Sequence, residues 1–131
     1  MKQQKFSVKK RIYSFKYAFN GVRILFKDEH NARIHLFAAI CVLAAGIWLK
    51  ISTTEWFAVI FAIGIVIAFE AINSSIENLA DFVSPQEHHL IKKVKDLAAA
   101  GVLISAISAA IVGLIIFVPK IILWVSDLMK N

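Results

Sequence analysis

Trp56 to Val83 reads WFAVIFAIGIVIAFEAINSSIENLADFV, and its two halves follow different rules. The first fourteen residues are apolar and, with the turns after them, predict a membrane-crossing helix, since ~20 such residues span a bilayer core of ~30 Å. From Glu70 onward the run is studded with polar side chains. Glu70, Asn73, Ser74, Glu77 and Asp81 stand at offsets of 0, 3, 4, 7 and 11, which places them along one helix face. A carboxylate inside a span costs about 2.5–3.5 kcal/mol on insertion scales, so three on one face point to a function. At ~1.5 Å per residue from Trp56, Glu70 lies ~21 Å in and Glu77 ~10 Å beyond it, so the stripe opens at the inner end of the span.

The rest of the chain agrees with a membrane location. It is 59% hydrophobic and 18% charged, with a mean hydropathy of +0.70; water-soluble domains average about 45–50% and 25%, which argues against a soluble globule. Before the acidic helix, IHLFAAICVLAAGIWL from Ile34 to Leu49 predicts a first span over 34–50. After it, LAAAGVLISAISAAIVGLIIFV from Leu97 to Val118 predicts a third, whose Ala, Gly and Ser allow close helix approach. The second span is assigned to 56–83 and the third to 97–118. Pro119 is expected to interrupt the third, leaving 119–131 as a short extension with Trp124 at interface depth. The single cysteine, Cys41, excludes an intrachain disulfide and a Cys-based zinc site and reads as a packing residue.

Residues 1–33 hold nine of the fifteen Lys and Arg. Val8, Ile12, Phe15, Phe19, Val22 and Phe26 recur at steps of four and three, predicting an amphipathic helix in the headgroup plane. The basic stretch runs through Arg33 with no cleavage-site pattern, so the N-terminus is expected to be retained. Basic residues concentrate in this arm and in the Ser84–Lys95 loop, with Lys50 alone in the other connection. Three spans then place the N-terminus inside and the C-terminus outside. The net charge of +6 is accounted for by these cytoplasmic edges, with no need of a nucleic-acid partner. The expectation is one all-α integral-membrane domain.

Carboxylates are hard ligands, and one or two of them with substrate phosphates are the usual way of holding Mg²⁺. Glu77 at the interface suits that task, with Glu29 a natural second ligand and Asp81 a further candidate. Glu70, deeper and partly desolvated, suits general-base work on a lipid hydroxyl. His88, His89, Lys92, Lys93, Lys95 and Asp96 come next in the loop, where Lys can pair with polyphosphate. Plainer readings stand beside these. Asn73, Ser74 and Ser75 equally suit interhelical hydrogen bonds; Lys92 and Lys93 suit the positive-inside bias; His88 and His89 lack a second pair to complete a metal site. Glu70 has no basic residue within the spans to pair with. No Walker, dinucleotide or protein-kinase signature is present, so spacing alone stops at an acidic, metal-dependent membrane site.

EAINSSIENLAD over Glu70–Asp81, then Lys95-Asp96 and AAAGVLI, together with FNGVRILFKDEHN before the first span, resembles the prokaryotic diacylglycerol kinase family over nearly the whole chain. That resemblance implies a homotrimeric bacterial cell-membrane lipid kinase using ATP and Mg²⁺ at the cytoplasmic interface. It makes Glu70 the catalytic proton acceptor and Glu29 and Glu77 the metal ligands bridging the ATP phosphates. Asn73 and Asp81 support the centre. Lys95 and Asp96 hold the nucleotide, with Tyr17, the Gln86–Glu87–His88 turn, and Lys10 or Arg11 as further ATP contacts. His35, where the diacylglycerol-specific pattern has an acid, and GLIIFVPKI at the end of the third span resemble a subgroup that phosphorylates undecaprenol. Undecaprenol is therefore the expected substrate, with diacylglycerol the alternative. A proton-coupled oligomeric transporter also places a lone Glu in a span, but has no need of Glu77, Asp81 and Lys95-Asp96 at its edge. A purely structural membrane subunit would need none of them.

Overall fold

The computed structural model describes residues 7–86 and 88–130. Four helices succeed one another there, α1 (Val8–Asp28), α2 (His30–Trp48), α3 (Thr53–Val83) and α4 (His89–Leu128), and no strand occurs among the described residues. Helices are the expected outcome, because lipid offers no partner to backbone N–H and C=O groups and each span must satisfy its own. α2, α3 and α4 are long and apolar enough to cross a membrane. At ~1.5 Å per residue α3 runs about 46 Å, longer than a ~30 Å bilayer core.

The arm and first span divide at Glu29, not between Arg33 and Ile34 as expected. Glu29 is extended (φ −95°, ψ 119°) and serves as both the C-cap of α1 and the N-cap of α2. One non-helical residue is enough to re-aim the chain while the ladder closes around it: Glu29 N–H donates to Leu25 O at 3.0 Å, and the Arg33 guanidinium donates to Lys27 O at 3.2 Å across the elbow. Among the described side chains of α1 Leu25 alone is buried, whereas Ile12, Phe15, Phe19 and Val22 are exposed.

α2 stops by a Schellman motif. Lys50 takes the left-handed conformation (φ 50°), its N–H bonds to Ile47 O and the Ile51 N–H to Gly46 O. Ser52 then starts α3 with a capping box: its hydroxyl accepts from Glu55 N–H, and the Glu55 carboxylate accepts from Ser52 N–H at 2.6 Å. Gly46 is required here, since a Cβ would lie 2.8 Å from Trp56 Cη2. Ile51, Val59 and Ile116 form the small core, with Trp56 and Phe117 against it.

α4 departs furthest from expectation. It begins at His89, leaving only Ser84–His88 as a connection, because the His88 ring caps the helix by accepting Leu90 N–H at 3.3 Å. It also runs straight through Pro119 to Leu128. The proline withholds one N–H from the ladder, and two contacts hold the segment beyond it: Lys120 Nζ lies 3.2 Å from Glu55 Oε2, and Trp124 packs edge-to-face on Trp48 with centroids 4.8 Å apart. Cys41, expected in packing, is on an exposed face.

Candidate active site

Glu70, in the middle of α3, is 3% exposed. Contrary to the expectation that no basic group in the spans meets it, His35 of α2 brings Nε2 to 3.1 Å from Glu70 Oε1. No described group besides His35 meets Glu70 Oε1, and Asn73 Oδ1, one turn along, is buried without a hydrogen-bond donor. Buried acceptors without donors are uncommon and require a physical reason.

Two hydrogen bonds assemble the next layer. Ser74 Oγ donates to Glu29 Oε1 at 2.6 Å, tying the α1–α2 elbow to α3, and Asn73 Nδ2 donates to Glu77 Oε1 at 3.1 Å. Ser74 and Glu77 are three residues apart, so the carboxylates of Glu29 and Glu77 are brought to adjacent positions on one helix face. Both are within electrostatic reach of Glu70. Glu29 reaches α3 because its side chain is not engaged in capping α2. Ser74 is thus an interhelical bond, whereas Ser75 donates to Ala71 O of its own helix and joins nothing to α3. Oxygen donors dominate this set, as a hard divalent cation requires.

Beyond Glu77 a cavity of about 520 Å³, bordered mainly by polar residues, opens between the end of α3 and the start of α4. Asp81, Gln86, His88, Lys95 and Asp96 line it. Lys95 Nζ is 2.9 Å from Asp81 Oδ1, and Lys92 Nζ 3.5 Å from Asp96 Oδ2. The structure therefore groups the expected residues in two connected zones, Glu29–Glu70–Asn73–Glu77 and Asp81–Gln86–His88–Lys95–Asp96. Arg11 and Tyr17 are exposed on α1 and do not line that cavity. Glu87 and the side chain of Lys10 lie outside the described residues.

Sequence reasoning missed the His35–Glu70 contact. The signal was depth: on antiparallel α2 and α3, His35 lies six residues from Glu29 and Glu70 four from Ser74, a difference of ~3 Å once Glu29 and Ser74 are paired. That pairing itself spans 45 residues of sequence and carries no local pattern.

Residues 16–117 match the family described as prokaryotic diacylglycerol kinase. An undecaprenol kinase of Bacillus subtilis is 35% identical over 108 residues, 82% of this chain and 88% of that protein. A diacylglycerol kinase of Synechocystis sp. is 32% identical over 112 residues, 85% of this chain and 64% of that protein's length. A diacylglycerol kinase of Haemophilus influenzae is 30% identical over 101 residues, 77% of this chain and 86% of that protein. A family match over most of the chain, on a fold of three apolar helices with an acidic cluster at one end, leaves one conclusion: the chain belongs to the prokaryotic diacylglycerol kinase family and is a membrane lipid kinase.

Proposed function

We propose that the protein transfers the γ-phosphoryl group of Mg-ATP to the hydroxyl of a membrane lipid alcohol at the cytoplasmic face, with undecaprenol the favoured acceptor and diacylglycerol the alternative. The observation that carries this reading is the Glu70 carboxyl: buried, met at Oε1 by His35 alone among the described residues, and within one or two helical turns of Asn73 and Glu77. An acceptor kept dry at the inner end of a span suits a lipid hydroxyl arriving from the bilayer. That hydroxyl oxygen attacks the γ-phosphorus, the bond to the β–γ bridging oxygen breaks, ADP leaves, and the hydroxyl proton passes to Glu70.

Glu29 and Glu77 are assigned as the Mg²⁺ ligands, with Asn73 Oδ1 beside them as a neutral oxygen donor. Two carboxylates leave the remaining positions of such an ion to substrate phosphates and water. When bound, Mg²⁺ neutralises charge on the transferring phosphoryl group. Lys95 leaves Asp81 to meet a phosphate, Asp96 holds the nucleotide, and Gln86, Glu87 and His88 border it. α1 lies in the headgroup plane, its apolar stripe towards lipid, and offers Lys10, Arg11 and Tyr17 to the nucleotide. The active assembly is a homotrimer in the bacterial cell membrane, with the N-terminus cytoplasmic. The undecaprenol preference is supported by His35, by GLIIFVPKI over Gly113–Ile121, and by a relative named for that activity. Family membership sets aside the transport reading.

Detergent-purified protein given labelled ATP, Mg²⁺ and either lipid tests the proposal. Label is expected in undecaprenyl phosphate faster than in phosphatidic acid. The reverse preference would move the substrate to diacylglycerol, and labelling of neither would overturn the reading.

A further inference from the structure

We propose that His35 is a positioning residue for the phosphoryl transfer, holding the Glu70 carboxyl in the orientation that accepts the lipid proton; this rests on Glu70 being the proton acceptor. Three observations carry it. First, His35 Nε2 lies 3.1 Å from Glu70 Oε1, and the two side chains are 25% and 3% exposed, so the pair is shielded from water on its Glu70 side. Second, apart from His35 no described residue donates a hydrogen bond to Glu70 Oε1, so that oxygen has no other anchor. Third, the imidazole also lines an apolar cavity of about 590 Å³ between α2, α3 and α4, beside Ala38, Ala39, Val66 and Ile67. With apolar groups on that side, Glu70 is the polar partner its nitrogen meets. His35 takes up Oε1 and leaves Oε2 to receive the proton, and it does so from a separate helix, so the geometry of the base depends on α2 being docked on α3.

The experiment measures lipid phosphorylation by the full-length protein in detergent, with labelled ATP, Mg²⁺ and undecaprenol, for three forms. His35→Phe keeps a ring of similar bulk and removes the nitrogen; His35→Gln loses the ring but restores an N–H near the same reach. A misaligned reacting group costs up to about 100-fold, so kcat of His35→Phe is expected to fall roughly 10- to 100-fold while KM for ATP stays within about twofold. His35→Gln is expected within about threefold of the parent, because the donor rather than the ring does the positioning. Parent-like kcat in His35→Phe overturns the proposal, as does equal loss in both variants, which marks His35 as packing alone. Where the substitutions abolish helical circular dichroism, histidine-selective ¹⁵N spectra of the parent and of Glu70→Gln decide instead. The His35 resonance is expected to move with that single change at Glu70, and an unmoved resonance overturns the contact. No phosphorylation of any lipid alcohol by the parent would mark failure of the kinase reading of Glu70, an outcome distinct from all of these.

Discussion

Ser74→Ala is the most informative single change outside the reacting groups. The substitution removes one oxygen from a buried position, keeps the Cβ and favours helix, so α3 itself is not weakened. What disappears is the 2.6 Å bond from Ser74 Oγ to Glu29 Oε1, together with a long 3.4 Å contact from Asn78 Nδ2; Asn78 keeps its 2.8 Å bond to the Ser74 carbonyl. Interhelical hydrogen bonds within membrane proteins are worth about 0.6 kcal/mol on average and up to about 1.7. The bond to Glu29 is short and charge-assisted and belongs at the upper end. If that free energy is what holds Glu29 beside Glu77, its loss raises the Mg²⁺ concentration for half-maximal rate by about 3- to 20-fold, since each 1.4 kcal/mol is tenfold. Initial rates of lipid phosphorylation against Mg²⁺ at saturating ATP measure this. Ser75→Ala is the control, because its hydroxyl serves only Ala71 O of its own helix. A Mg²⁺ response in Ser74→Ala equal to that of Ser75→Ala would refute the claim that the elbow delivers Glu29 to the metal site.

Four further variants have expected outcomes. Glu77→Gln abolishes turnover and alters the Mg²⁺ response, whereas Glu70→Gln loses turnover but still binds nucleotide by equilibrium dialysis; undiminished turnover in either counts against its role. Lys50→Gly stabilises the fold by up to about 1 kcal/mol in thermal unfolding in detergent, because a side chain at φ 50° carries a steric cost that glycine does not. Gly46→Ala destabilises by about 1–3 kcal/mol, because the new methyl meets the Trp56 ring and Ile51 at 2.8–3.0 Å; a parent-like melting temperature would show that the ring yields freely.

Much of the candidate site could be read along α3 because its polar groups recur on one helix face, where neighbours in space are neighbours at three and four residues. Asn73–Glu77 is of that kind. The partners that come from elsewhere were not legible. His35 and Glu70 are 35 residues apart, and neither has a local pattern that names the other. Ser75 and Ser74 are adjacent and chemically identical, yet the first bonds the Ala71 carbonyl of its own helix and the second crosses to the elbow. Pro119 misled for a related reason: it does break a ladder bond, but the Lys120–Glu55 and Trp124–Trp48 contacts carry the helix onward.

The sequence by itself determined that this chain makes apolar helices, how many can cross a bilayer, and which helix carries the acids. Those properties come from local composition and from the demand that backbone groups be satisfied within each segment in lipid. The tertiary structure alone decided where the arm bends, which serine meets Glu29, and that an imidazole faces Glu70. Each of these depends on how one helix is rotated and shifted against another, and contacts between small and apolar faces set that rotation without leaving a periodic trace in the chain.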